Sequence, residues 1–106
     1  MSDYVPDEGE IVWIQLSPTV GREQTGHRPA VVLTKAEYNG RTGMMFCVPL
    51  TSRIKNYPFE VAVGSGVALV DHSRAVDWKA RGLSRKGAAT PDEMQAMRAK
   101  LHKLVG

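Results

Sequence analysis

At 106 residues the chain is long enough for one hydrophobic core and too short for two. Its single cysteine, Cys47, excludes an intramolecular disulfide, and the acidic opening from Met1 to Glu10 lacks the apolar segment of a secretory leader, so a cytoplasmic protein is expected. The net charge of +3 is uneven: residues 1–71 hold 6 Lys and Arg against 8 Asp and Glu, whereas residues 72–106 hold 8 against 3. No apolar run reaches membrane-spanning length, so the basic C-terminal third is expected to face a polyanion or an acidic protein rather than to accompany a membrane span.

Ile11-Val12-Trp13-Ile14-Gln15-Leu16 is rich in β-branched and aromatic residues and predicts a first strand, which Ser17-Pro18-Thr19 breaks. A polar loop then runs to Gly26, with Glu23 and Gln24 inside it. Pro29 to Leu33 predicts a second strand, and His27 and Arg28 stand at the junction of that loop with the core. Pro29 pushes Arg28 toward an extended conformation. From Lys35 to Gly43, the pairs Asn39-Gly40 and Thr42-Gly43 are turn signals, with one short helical turn before them. Met44 to Val48 predicts a third strand ended by Pro49, with Cys47 as a small core residue. A polar loop follows, Thr51-Ser52-Arg53-Ile54-Lys55-Asn56.

Phe59 to Val63 alternates and predicts a strand with one wet face. The turn Gly64-Ser65-Gly66 joins it to Val67-Ala68-Leu69-Val70 as a hairpin. A further strand is expected near Arg74 to Trp78, and Lys79 to Ala89 reads as a loop with marginal β structure. The last element is a helix. Thr90 is its N-cap, Pro91 its first residue, and Glu93 completes a capping box. Met94, Met97, Leu101 and Leu104 recur at helical spacing and form an apolar stripe, with Arg98, Lys100 and Lys103 off it. Many short strands with glycine turns and one C-terminal helix predict a single, mainly β domain of α+β type over residues 1–106. Its form is a small, strongly bent antiparallel sheet or half-open barrel.

The chemistry-bearing residues narrow the choice of function. His27, His72 and His102 lie far apart, and no zinc-type spacing is present, so no metal or other cofactor is expected. There is no Gly-rich phosphate loop before a helix and no serine elbow. What remains at strand-to-loop junctions is Glu23, His27, Arg28, Thr51, Ser52 and Lys55, a set suited to a phosphodiester. An arginine can bridge two phosphate oxygens in a fork, and a threonine hydroxyl can donate to the same oxygens. Metal-free RNA cleavage needs a stabilised phosphorane, an acceptor for the 2′-hydroxyl proton and a donor for the leaving 5′-oxygen.

The ordered series Gly9-Glu10-Ile11-Val12-Trp13, Pro18-Thr19, Glu23-Gln24-Thr25-Gly26-His27-Arg28-Pro29-Ala30-Val31-Val32-Leu33, Pro49-Leu50-Thr51-Ser52, Lys55-Asn56-Tyr57-Pro58-Phe59-Glu60-Val61 and Trp78-Lys79-Ala80-Arg81 resembles the MazF/PemK-type toxins of toxin–antitoxin pairs. The resemblance covers nearly the whole chain. It implies an SH3-like barrel shared with CcdB-type toxins, a homodimer, and sequence-selective, metal-independent cleavage of single-stranded mRNA. It also implies a cognate acidic antitoxin with a disordered tail. Arg28 and Thr51 would occupy the family's catalytic positions, with Glu23 beside them. RNA contacts are expected from Gln24, His27, Ser52, Lys55 and Lys79. Two departures stand out: the Val63–Gly66 turn is shorter than in many members, and His72 stands where close members often carry glutamine. Neither is expected to touch Arg28 or Thr51.

Physical chemistry limits the roles. Arg28 stays protonated, so it is suited to stabilising charge rather than to accepting a proton. By pKa, Glu23 or His27 is the better base, but alternation sets His27 and Arg28 on opposite sides of an extended strand, which weighs against His27. A second reading is a CcdB-like toxin that binds a protein target such as gyrase and cleaves nothing, because fold alone does not separate the two.

Overall fold

The computed structural model describes residues 4–16 and 27–106. In chain order these form β1 (Glu10–Gln15), β2 (His27–Val32), α1 (Ala36–Thr42), β3 (Met44–Thr51), β4 (Glu60–Val63), β5 (Gly66–Leu69), a 3-10 turn (Val70–His72), β6 (Arg74–Asp77), α2 (Trp78–Arg81), β7 (Leu83–Ala88) and α3 (Pro91–Val105). All strand pairs are antiparallel, in the order β4-β5-β3-β2-β1-β7, with β6 also on β3. Among the described residues the sheet does not close, so the expected half-open barrel with a C-terminal helix is the architecture found.

β3 is the trunk. One edge takes β2 along Cys47 to Pro49; the other takes β6 along Met44 to Cys47 and then β5 along Leu50 and Thr51. β2 and β3 are covered on both faces, which is why each reads as a nearly continuous apolar run. One face, with Val12, Ile14, Ala30, Val32, Met45 and Cys47, is closed by Val76 and Trp78. The other, with Val31, Leu33, Val48, Leu50, Val61 and Ala68, is closed by Met97 of α3.

Several elements differ from the sequence expectation. β3 runs through Pro49 to Thr51. Proline is tolerated because it lies between the stretch that pairs with β6 and the stretch that pairs with β5. The Lys35–Gly43 segment folds as α1, ended by Gly43 in the left-handed region at φ 74°. Lys79–Ala89, expected as a loop with marginal β structure, holds most of α2 and a full strand, β7. Asp77 caps α2 by accepting from Ala80 N, and β7 owes its form to its pairing with β1. Within the α3 stripe, Met97 is fully buried but Leu104 is 43% exposed, because the last turn of the helix lies off the core.

Asn39 explains why a turn-prone pair becomes helical. It is completely buried, and its amide nitrogen donates to Pro6 O at 2.8 Å and Thr34 O at 2.9 Å. Its Oδ1 accepts from the Thr34 hydroxyl at 2.6 Å, and its carbonyl accepts from Trp78 Nε1 at 3.1 Å. One residue thus joins the N-terminal segment, the β2–α1 corner and α2. Asn39→Ala leaves two buried carbonyls without their donor and should destabilise the protein by about 3 kcal/mol in denaturant unfolding.

Glu93 makes a second long-range tie. Its Oε1 accepts from Thr90 N at 2.8 Å, completing the capping box, and its Oε2 accepts from Gly64 N at 2.9 Å in the β4–β5 turn. The Thr90 and Gly64 N–H groups hold its carboxyl below the ordinary carboxylate value. A carboxylate with a depressed folded-state pKa contributes stability above its unfolded pKa and loses it as pH falls through the folded one. The stability difference between wild type and Glu93→Gln, read from denaturation midpoints, should therefore shrink between about pH 6 and about pH 3. A difference independent of pH would show that the charge holds neither group.

Candidate active site where two strands part

Strand alternation sorts the candidate residues. β1 and β2 pair with Ile14 opposite Arg28 and Gln15 opposite His27. Ala30 and Val32 enter the core closed by Trp78, so Arg28, two residues earlier, lies on that face. On β3, Met45 and Cys47 enter the same core, so Thr51 lies on it as well. The β2–β3 register is Ala30↔Pro49, Val31↔Val48 and Val32↔Cys47. Continued by two residues, it sets Arg28 across from Thr51.

The ladder ends before that step, and Pro29 supplies the reason. In an antiparallel strand the N–H and C=O of one residue point to the same neighbour, and successive residues alternate. Leu33 N donates to Phe46 O of β3, so residues 31 and 29 also point toward β3. Pro29 has no N–H to offer Leu50. On the opposite edge of β3, Leu50 and Thr51 pair with Ala68 and Val67 of β5. Arg28 and Thr51, both half-buried, thus stand on the same face at the two sides of the point where β2 and β3 part.

Thr51 Oγ1 accepts the N–H of Arg53 at 3.2 Å. With that acceptor position used, the hydroxyl proton is left to be donated elsewhere. Ser52 and Lys55 follow on the exposed loop. The loop is shaped by Glu60, whose carboxylate accepts from Lys55 N at 3.1 Å and Asn56 N at 2.9 Å, and Asn56 adopts φ 61°. Lys55 Nζ lies 5.8 Å from the Tyr57 ring centroid. Beside this loop is a cleft of about 580 Å³ lined by Arg53, Lys55, Tyr57, Glu60, Asp71 and His72.

Other candidates lie apart. His27 is exposed on the face opposite Arg28, its ring 5.6 Å from that of Trp13, over which Lys86 Nζ also stands at 5.6 Å. A groove of about 450 Å³ on that face is lined by Ile11, Pro29, Leu50, Ser52, Lys86 and Glu93. Lys79 packs its stem against Gly43 at the far end of β3, seven residues and roughly 23 Å of strand from Thr51. Within one chain it does not join Arg28 and Thr51. Glu23 and Gln24 lie outside the described residues.

Three features went unread in the sequence. Arg74, on the face of the core closed by Val76, donates to Leu16 O at 3.4 Å, and Arg81 donates to Gln15 O at 3.0 Å. They add two cations near the end of β1; the only sequence signal was the basic excess after residue 71. Glu60 gave no signal, because the backbone it braces is not visible in a residue pattern. Gly66, expected to be remote from the site, is not: a Cβ built there would stand 2.6 Å from Thr51 O. Cys47 is buried, and burial pushes its thiol up to about 12, which makes it inert as a nucleophile. Among the described residues no group of three or more His, Cys, Asp or Glu could hold a metal ion, and no helix is long and apolar enough to cross a membrane.

Comparison with known proteins agrees with the resemblance read from the sequence. Residues 7–105 match the family described as PemK-like, MazF-like toxin of type II toxin–antitoxin system. The chain is 48% identical to the endoribonuclease toxin MazF of Escherichia coli strain K12, across 100% of this chain and 99% of that one. It superimposes on a crystal structure of MazF from Deinococcus radiodurans with a TM-score of 0.95 at 48% identity, covering 98% of this chain and 99% of that one. MazF in a MazE–MazF complex from the same organism gives a TM-score of 0.87 at 45% identity, covering 97% of this chain and 98% of that one. These likenesses run along the whole chain and are to the endoribonuclease branch, not to a CcdB-type protein. The chain belongs to the PemK-like, MazF-like toxins of type II toxin–antitoxin systems.

Proposed function

We propose that the protein is the toxin of such a pair and cleaves single-stranded RNA at selected sequences, without metal, by attack of a 2′-hydroxyl. The observation that carries the reading is the β2–β3 register, which brings Arg28 and Thr51 to one face where the strands part. The 2′-oxygen bonds to phosphorus while the bond from phosphorus to the 5′-oxygen breaks. Glu23 takes the 2′-hydroxyl proton in this reading, a choice supported by the place of His27 on the face opposite Arg28. Arg28 bridges the phosphorane oxygens and Thr51 donates its hydroxyl to them. The departing 5′-oxygen takes its proton from water, since Arg28 stays protonated.

Ser52 and Lys55 hold flanking phosphates on the loop that Glu60 shapes, and Gln24 adds a further RNA contact. His27, with Trp13 and Lys86, offers an aromatic and cationic surface suited to stacking a splayed base. In a twofold homodimer the loops of both subunits line one longer groove, to which Lys79 adds charge at its periphery. The basic excess after residue 71 suits a second occupant, the acidic disordered tail of a cognate antitoxin, which would exclude RNA by direct competition. The MazE–MazF complexes of Deinococcus radiodurans support an antitoxin as partner.

Purified protein should cleave single-stranded RNA in excess EDTA and leave 2′,3′-cyclic phosphate and 5′-hydroxyl ends, read by mass spectrometry of the fragments. Activity lost in EDTA and restored by magnesium would overturn this mechanism. Arg28→Ala should lower kcat by about 10²-fold or more, the usual loss on removing a main stabiliser of transition-state charge. Thr51→Ala should lower it by a similar factor, with circular dichroism unchanged in both. Near-full activity in both variants would show that the site lies elsewhere.

A further inference from the structure

We propose that Gly66 is a positioning residue for Thr51, and that the β4–β5 turn acts as the backstop that aims the Thr51 hydroxyl. The inference rests on the reading of Thr51 given above and adds a residue outside that machinery. Among the described residues Thr51 has β5 alone as a ladder neighbour, because the β2–β3 ladder stops at Ala30↔Pro49. Its place relative to Arg28 is therefore set from the β5 side. β5 begins at Gly66, which pairs with Val63 across the turn, and Val67 pairs with Thr51.

The approach at Gly66 leaves no room for a side chain. A Cβ there would stand 2.6 Å from Thr51 O, 3.4 Å from Thr51 C and 3.7 Å from Ser52 Cα. All three are backbone atoms, which cannot rotate aside as the tip of a side chain can. The turn cannot retreat freely either, because Glu93 Oε2 holds Gly64 N at 2.9 Å and the same carboxylate caps α3. α3 is in turn anchored by fully buried Met97 and by Arg98, which pairs with Glu8 and donates to Leu33 O at 2.9 Å. Helix, turn and β5 thus form a fixed stop against the Thr51 carbonyl. Any side chain at position 66 moves Thr51, and a displacement of about 1 Å at a reacting group costs on the order of 10²-fold in rate.

The test is a double-mutant cycle on RNA cleavage with wild type, Gly66→Ala, Thr51→Ala and the double variant, each checked for folding by circular dichroism. Gly66→Ala should lower kcat by about 10²-fold with KM within about threefold. In the Thr51→Ala background the same change should cost less than about threefold, because the group it aims is already gone. A purely structural role for Gly66 predicts the opposite, the product of the two losses. Full kcat in Gly66→Ala, or multiplicative losses, would overturn the proposal while leaving the reading of Thr51 intact. Wild-type rate in Thr51→Ala would overturn both. Should Gly66→Ala fail to fold, Glu93→Ala frees the turn without adding atoms. It should lower kcat several-fold, and that loss should likewise vanish in the Thr51→Ala background; a loss that persists there would sink the idea.

Discussion

The N–H that Pro29 lacks is the constraint from which the geometry of the site follows. β2 and β3 are buried on both faces, and their ladder would run on if every residue could donate. At Pro29 it cannot, and the end of β3 is held only from its opposite edge, by β5. Arg28 and Thr51 are thereby left on one face of the sheet, just beyond the last paired step of the β2–β3 ladder. Pro49, on the other edge, marks the point where β3 passes from β6 to β5. Two prolines that a strand prediction would treat as defects thus open one sheet at one place.

The carboxylates of the protein are used mainly to hold backbone. Glu10 accepts from Asp7 N and the Tyr4 hydroxyl and pairs with Arg85. Glu60 and Glu93 each accept two backbone N–H groups. Such bonds are charge-assisted and fix loops that no apolar contact holds. They also place negative charge in braces, while Arg28, Arg74 and Arg81 gather near the end of β1. The result is a site with a local positive field for a polyanion in a protein whose net charge is only +3.

The loop from Thr51 to Tyr57 illustrates how structure and chemistry are joined. It begins at a residue proposed to touch the scissile phosphate and continues through Ser52 and Lys55. Its conformation is set from two directions, by Glu60 through the Lys55 and Asn56 N–H groups and by Gly66 against the Thr51 carbonyl. Rigid support of this kind is what lets an exposed loop present a hydroxyl and a cation in one arrangement.

Features that depend on residues a few positions apart were legible before folding. The capping box of Thr90, Pro91 and Glu93 started α3 where it was read, because its bonds span three residues. The Gly64–Gly66 turn closed its hairpin, and alternation placed His27 and Arg28 on opposite faces of β2. The residue types suited to a phosphodiester were likewise legible one by one. Features that depend on distant partners emerged with the folded chain. Asn39-Gly40 became helix because a buried amide meets Pro6 and Thr34. Lys79–Ala89 acquired α2 and β7 because Trp78 is held by Asn39 and β1 offers an edge. Leu104 left the core because α3 outruns the sheet, and Lys79 fell at the far end of β3. Gly66 met Thr51 because β5 folds back on β3, a contact across 15 residues that no local pattern encodes. Local hydrogen bonds are written in sequence spacing; contacts between strands exist only once the chain has been bent to make them.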